Sequence, residues 1–185
     1  MKKTLLAALL GLTTLSAAQA TPLLWSDNGH YYEYVSTAMT WQQAVDAAAA
    51  STYEGMTGYL ATITSDAENT FVGATVAAGS LAWIGASDNG DEINHWTWRT
   101  GPEAGQALVY SNWNGGEPNN CCGGEDYAQL NWGYLTWNDH GGPGNGSQMN
   151  GFVIEYSAAP VPEPETYALM LLGLGLVGLA SRRRG

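Results

Sequence analysis

In 185 residues the chain carries 17 acidic and 6 basic side chains, a formal charge of −11. Between positions 21 and 161 the imbalance sharpens to 15 acids against a single base, Arg99, a formal charge of −14. Such a surface repels nucleic acid and anionic lipid, and it calls for positive charge from outside the chain, for which a divalent cation is the obvious candidate.

The N-terminus starts with a basic Met1-Lys2-Lys3, continues through an uncharged Leu- and Ala-rich run from Thr4 to Ala17, and reaches Ala18-Gln19-Ala20. Basic start, apolar run and small-x-small close are the parts of a secretory signal cut by signal peptidase, here expected after Ala20. The stretch 21–157 that follows is one domain of ordinary size, long enough to bury a core, and its wealth of Trp and Tyr argues against disorder.

Within it, Tyr31–Val35 reads as a strand. Thr40 stands three residues before Gln43, a capping-box spacing, and predicts a helix over Trp41–Ala50 with Trp41, Ala44, Val45 and Ala48 on its apolar face. Gly58–Ile63 reads as a strand. Ser65 and Glu68 repeat the capping spacing and predict a second helix to about Ala77, with Ala67, Phe71, Val72 and Val76 inward. Leu81–Gly85 has the texture of a buried strand.

From Asp88 to about Gly151 the sequence is rich in Gly, Asn, Asp and Trp. Short strands are expected at Trp96–Trp98, Asp126–Leu130, Tyr134–Trp137 and Phe152–Tyr156. Two helices followed by short strands and long loops predict an α+β domain, and long loops in a compact domain are usually functional. Trp83, Trp96 and Trp98 are expected in the core. Trp132 and Tyr134 are expected to pack under the loops, with stacking on a sugar face as the other reading, and His140 is expected to be an exposed loop residue.

The long-loop region concentrates oxygen donors: Glu117-Pro118-Asn119, then Glu125 eight residues after Glu117, then Asn138-Asp139 after Trp137. Calcium takes six to eight oxygen ligands from such groups. The three histidines, His30, His95 and His140, are scattered singly and give no zinc spacing.

Glu-Pro-Asn, the Glu eight residues on and Trp-Asn-Asp together resemble the sugar-binding C-type lectin domain. Gly58–Ile63, Trp83-Ile84-Gly85, Tyr110-Ser111-Asn112-Trp113 and Phe152–Tyr156 match its other motifs in order, from about Gly29 to Tyr156. The resemblance implies a C-type lectin-like fold, with two helices, short antiparallel sheets and a long-loop region. It implies calcium on Glu117, Asn119, Glu125, Asn138 and Asp139, with two neighbouring hydroxyls of a sugar replacing water on the ion. Glu117, Asn119, Glu125 and Asn138 would also bind the sugar, since a carboxylate accepts from hydroxyls and an amide can donate to them. Glu-Pro-Asn implies mannose-, glucose- or N-acetylglucosamine-type ligands and a cis Glu117–Pro118 peptide. A weaker auxiliary calcium site is implied at Asp88, Glu92, Asn120 and Asp126, with Asn120 where the family usually has Asp.

The chain also departs from the family. Tyr127 and Ile154 stand at two of its usual disulfide positions, so the core is expected to hold by packing. Cys121 and Cys122, the chain's only cysteines, lie inside the binding loop instead, where a vicinal disulfide is expected. The other function classes weighed are a calcium-stabilised adhesion module without sugar activity and a glycosidase using Glu117 and Glu125. The second is disfavoured because carboxylates that ligate calcium are not free to move protons.

The C-terminal residues 158–185 contain Pro162-Glu163-Pro164, an uncharged run from Thr166 to Ser181, and Arg182-Arg183-Arg184. These parts resemble a PEP-CTERM sorting signal of Gram-negative bacteria. The resemblance implies transient membrane insertion, processing by an exosortase-type enzyme, and delivery to the cell surface or extracellular matrix.

Overall fold

The computed structural model describes residues 21–88, 94–142 and 148–158. The signal and sorting segments therefore lie outside the described residues.

Strands β1 (Leu23–Trp25) and β2 (His30–Val35) form an antiparallel pair, and β2 continues onto the closing strand β9 (Phe152–Tyr156). Helix α1 (Trp41–Ala50) has the predicted bounds, and both halves of its capping box form: Gln43 N–H donates to Thr40 Oγ1 at 3.4 Å and Thr40 N–H to Gln43 Oε1 at 3.0 Å. A small hairpin, β3 (Thr52–Tyr53) and β4 (Met56–Leu60), pairs through β4 with β9. The strand stops at Leu60 rather than Ile63, because Thr62 N–H turns to the carboxylate of Glu155 at 3.0 Å instead of a sheet partner.

Helix α2 (Asp66–Thr70) differs from the expected long helix, since from Phe71 to Val76 the chain widens into a π-helical segment. Ser65 Oγ caps it through Glu68 N–H at 3.2 Å, but the Glu68 carboxylate bonds Thr64 N–H at 2.7 Å and does not close the second half of the box. The inward face is correspondingly changed. Ala67 is exposed, while Glu68, Asn69, Val72, Gly73 and Ala77 are buried.

The centre is β5 (Ala82–Ser87), which lies between β9 and β7 (Tyr127–Leu130); β8 (Trp137–His140) completes the sheet beside β7, and β6 (Thr97–Trp98) pairs with β5. Period-2 alternation sorts the side chains of β5 into two cores. Ala82, Ile84 and Ala86 join Val72, Leu130, Trp98 and Trp137 on one face, while Trp83 joins Trp41, Ala48, Leu60 and Phe152 under α1 on the other. Gly85 is required at the crossing, where a Cβ would collide with Thr100 Oγ1 and lie 2.8 Å from the Leu60 carbonyl oxygen.

Packing occupies the two positions, Tyr127 and Ile154, where the resemblance would place cysteines. The Tyr127 ring stacks on Trp41 at 4.6 Å and meets Trp83 edge-on at 6.2 Å, and Ile154 is fully buried in the core under α1. The helix is also pinned by indole hydrogen bonds, from Trp41 to the Ile84 carbonyl and from Trp83 to the Met39 carbonyl, each 2.9 Å.

Candidate functional site

The site is built where the long loop folds back on the β7–β8 hairpin. The expected strand at Tyr134–Trp137 is instead a turn, with Tyr134 and Leu135 in the left-handed region at φ 54° and 64°. Asn131 Oδ1 holds that turn by accepting from Leu135 N–H at 3.1 Å. The strand therefore begins at Trp137, and Asn138 and Asp139 sit on β8, opposite Gln129 and Ala128, rather than on a loop. They are buried, and a regular ladder fixes their backbone.

Against this rigid edge the loop is tied by its own amides. The Asp139 carboxylate accepts from Asn119 N–H at 3.1 Å and from Asn120 N–H at 2.6 Å. Cys121 N–H donates to Asn119 Oδ1 at 2.9 Å and to Glu125 Oε2 at 3.1 Å. Glu125 N–H donates to Asn120 Oδ1 at 2.8 Å. The Glu117–Pro118 peptide is cis, as the motif implied. Glu117, Asn119, Glu125 and Asp139 are thus brought together. Asn138 lies on the same strand, with its amide turned to the Asp139 carbonyl and to Gln129 Oε1.

The electrostatics of this gathering are unbalanced. Burial raises the Glu117 carboxyl above its ordinary range, and the neighbouring Asp139 and Glu125 raise it further. Glu117 Oε2 is buried and has no hydrogen-bond partner. A buried acceptor without a donor costs roughly 1–3 kcal/mol. Among the described residues no group of three or more Asp, Glu, His or Cys side chains is placed to hold a metal ion by itself. The donor set is nonetheless all oxygen, with one acceptor unused and three like charges adjacent, which fits a hard cation such as calcium.

A second orphan lies beside it. Asp88 Oδ1 is buried without a partner, while Asp88 Oδ2 accepts from Asn94 N–H at 2.8 Å. Asp126 is raised by burial and then by the charges of Asp88 and Asp139, and Asp88 N–H reaches the Asp126 carbonyl at 3.3 Å. Asn120 spends its side-chain oxygen on Glu125 N–H within its own loop. Glu92, the fourth residue of the expected auxiliary set, lies outside the described residues.

Two expectations change and a third holds. His140 is not a loop residue: it ends β8, stacks with Trp83 at 5.8 Å and places Nδ1 3.4 Å from Glu125 Oε1. Trp132 and Tyr134 do not pack under the loops but project from the β7–β8 turn, 52% and 72% exposed. Cys121 and Cys122 form the vicinal disulfide, at the exposed edge of the loop.

This fold and loop can be set beside known proteins. The Lectin C-type domain pattern matches residues 37–145, and the PEP-CTERM protein-sorting motif matches residues 160–184. The chain belongs to the C-type lectin domain family. The sorting motif at its C-terminal end indicates an exported, exosortase-sorted protein.

Lectin BRA-3 of Megabalanus rosa is 32% identical over 139 residues, covering 74% of this chain and 80% of that one. Halomucin of Haloquadratum walsbyi is 38% identical over 139 residues, covering 70% of this chain; the chain spans only 1% of halomucin. Among solved structures, the cow carbohydrate-recognition domain of CD23, crystallised in the presence of a GlcNAc2Man3 oligosaccharide, is 30% identical. It superposes with a TM-score of 0.54 over 70% of this chain and 89% of that one. Family and relatives support a carbohydrate-binding role.

Proposed function

We propose that the domain is a calcium-dependent lectin for mannose-, glucose- or N-acetylglucosamine-type glycans, and that it is a binding protein rather than an enzyme. Glu117, Asn119, Glu125, Asn138 and Asp139 would hold the ion; Asp88, Glu92, Asn120 and Asp126 would hold a weaker second one. Calcium, when bound, offers open coordination positions to a pair of sugar hydroxyls. The chain's own residues would do the rest: the carboxylates of Glu117 and Glu125 accept hydrogen bonds from hydroxyls, and the amides of Asn119 and Asn138 donate to hydroxyl oxygens. The oligosaccharide in the CD23 crystals is built from N-acetylglucosamine and mannose, the class expected here.

The observation that carries this reading is Glu117 Oε2, a buried acceptor with no donor, beside the carboxylates of Asp139 and Glu125. On this reading residues 1–20 are a signal removed by signal peptidase, 21–157 are the lectin domain, and 158–185 form the transient membrane and sorting segment. The destination is the outer surface or matrix of a Gram-negative bacterium. No helix among the described residues is long and apolar enough to cross a membrane.

Calorimetric titration of the exported protein with calcium, with and without mannose, tests the proposal. Each ligand should tighten the other, since such coupling is reciprocal. Sugar binding that persists unchanged in excess chelator would defeat it.

A further inference from the structure

On the side of the domain formed by β1, β2 and the end of α1 lies a cleft of about 460 Å³, lined by Thr21, Pro22, Glu33, Ser51, Tyr53 and Tyr156. Glu33 is 4% exposed. Its Oε2 accepts from Tyr156 O–H at 2.9 Å, and its Oε1 is buried with no partner. An ionised carboxylate in that position lacks a counter-charge as well as a donor.

Among the lining residues Tyr156 donates to Oε2, nothing meets Oε1, and no side chain there is basic. Leu23 pairs with Tyr32, so the antiparallel register continued by one residue sets Pro22 alongside Glu33, and proline has no N–H to give. The C-terminal end of α1 reaches the same cleft through Ser51, and its last turn carries no basic residue. That end is the negative pole of a helix and adds to the demand for a cation. Across residues 21–161 the only Lys or Arg is Arg99, which donates from Nε to the Ser87 carbonyl at 3.3 Å on β5.

One more cation becomes available only by processing. Hydrolysis of the Ala20–Thr21 peptide bond adds water across it, leaving a carboxylate on Ala20 and an α-amine on Thr21. An α-amine has an ordinary pKa of about 7.7–8.0, so at neutral pH it is mostly an ammonium. Thr21 is itself a lining residue of the cleft.

We propose that the Glu33 cleft is the seat of the Thr21 α-ammonium group, so that removal of the signal supplies the ion pair that completes the β1–β2 edge. The inference rests on cleavage after Ala20, part of the function proposed above, and is independent of calcium and sugar. An uncut chain has a neutral amide at that place and leaves Glu33 unpaired; the cut chain is the more stable of the two.

The full chain, exported and processed by its host, tests this. Its Lys residues are Lys2 and Lys3 alone, so after cleavage the α-amine is the only primary amine and acylation reports on it directly. The comparison is with a chain carrying Gly-Gly inserted between Ala20 and Thr21, each with and without Glu33→Gln. N-terminal sequencing comes first: a native chain that does not start at Thr21 removes the cleavage premise and with it the proposal. With that start confirmed, the native amine should acylate several-fold more slowly at pH 7 than the Gly-Gly amine, and Glu33→Gln should remove the difference. The urea midpoint should fall with the insertion or with Glu33→Gln, and the two changes together should cost no more than one. Equal acylation rates, or a Glu33→Gln loss of equal size in both backgrounds, would overturn the proposal. So would restoration of the inserted chain's midpoint by added ammonium or divalent ions, which would make the cleft a seat for a free cation. Should Glu33→Gln fail to fold, the acylation rates of the native and inserted chains decide alone.

Discussion

Where β2, β9 and the start of α2 meet, Glu68 and Glu155 are buried, 2% and 1% exposed, and donors meet all four of their carboxylate oxygens. Tyr32 O–H reaches Glu68 Oε1 at 2.5 Å, and Thr64 N–H and Oγ1 reach Oε2 at 2.7 and 2.9 Å. His30 Nδ1 lies 2.6 Å from Glu155 Oε1, and Thr62 N–H donates to Oε2 at 3.0 Å. Where the long loop meets β8, Glu117, Glu125 and Asp139 also neighbour one another, but their donors are mostly backbone amides and Glu117 Oε2 has none. The two regions solve the same electrostatic problem with different means. The first brings its donors from the chain and needs nothing more; the second leaves an acceptor open, which the proposed cation would complete. Burial alone does not mark a functional carboxylate, and the unanswered acceptor is the discriminating feature.

The largest effect expected from that difference is on the loop. Chelator should lower the melting temperature and abolish sugar binding together, because an ion that binds only the folded loop stabilises by mass action. At 100 times its dissociation constant this is about 2.7 kcal/mol. Asp139→Ala removes both a proposed ligand and the acceptor for Asn119 and Asn120 N–H, so it should lose the calcium response and the sugar while the tryptophan core stays folded by near-ultraviolet circular dichroism. Glu117→Gln should act with opposite signs in the two states. It relieves repulsion in the calcium-free protein, raising its denaturation midpoint, and lowers the midpoint of the calcium-loaded one. The same sign in both states would mean that Glu117 is not held against its neighbours by a missing charge.

The buried network should respond without regard to calcium. Tyr32→Phe leaves Glu68 Oε1 with only Asn28 Nδ2 at 3.4 Å, and hydrogen bonds to charged groups are worth about 1.5–3 kcal/mol. Chemical denaturation should show that loss equally with calcium and with chelator. A loss confined to one condition would show that the two regions are coupled and the contrast between them false.

A pH series sharpens the comparison further. The hydrogen bond to Glu155 raises the His30 pKa above its ordinary 6.5, burial opposes this, and the charges of Glu155, Glu68 and Glu103 add to the rise. A pKa raised on folding gives stability that is fully present below the unfolded value and is lost as pH rises through the folded value. His30→Gln should therefore destabilise the protein below about pH 6.5 and cost progressively less in alkaline solution. A loss constant across that range would reduce His30 to a packing role.

The sequence was most readable where chemistry is local. The Thr40 and Gln43 capping pair set α1 to its residue, and Glu117-Pro118-Asn119 carried its cis peptide. The π-helical widening after Thr70 was not readable, because it depends on what α2 packs against: Asn69 bonds the Trp137 indole at 2.7 Å and the Leu135 carbonyl at 2.9 Å. Those contacts turn Glu68 and Asn69 inward and Ala67 out. The donors that meet Glu155 come from residues 93 and 125 positions away, which no spacing rule reaches. Only the acid in the otherwise apolar Phe152–Tyr156 run hinted that a partner was needed. The β7–β8 turn departs from the expected strand for a related reason, since its left-handed residues are Asn131, Tyr134 and Leu135 and not the glycine among them.

That turn supplies the smallest expected effect. Trp132 and Tyr134 are held outward by a base that is firmly tied down. Asn131 Nδ2 donates to the Gly73 and Ser80 carbonyls, both at 3.0 Å, and Asn112 Nδ2 donates to the Leu135 carbonyl at 2.9 Å. Thr136 also donates to Asn114 Oδ1 at 3.4 Å, three residues before Glu117 in the chain. The aromatic pair is therefore joined to the binding loop through the Asn112–Asn114 segment, while lying outside both carboxylate groups. Trp132→Ala should leave stability within about 0.5 kcal/mol, as exposed substitutions usually do. Calcium affinity should be unchanged, because no expected ligand is touched. If the turn contributes a stacking surface to a longer glycan, oligosaccharide affinity should fall by a few-fold, in keeping with about 0.5–1.5 kcal/mol for an aromatic contact. Binding of free mannose should stay the same. An equal loss for mannose and for the oligosaccharide would mean that the substitution acts through the Asn114–Glu117 connection and not through stacking. No loss for either would leave the loop carboxylates and amides as the whole of the sugar site.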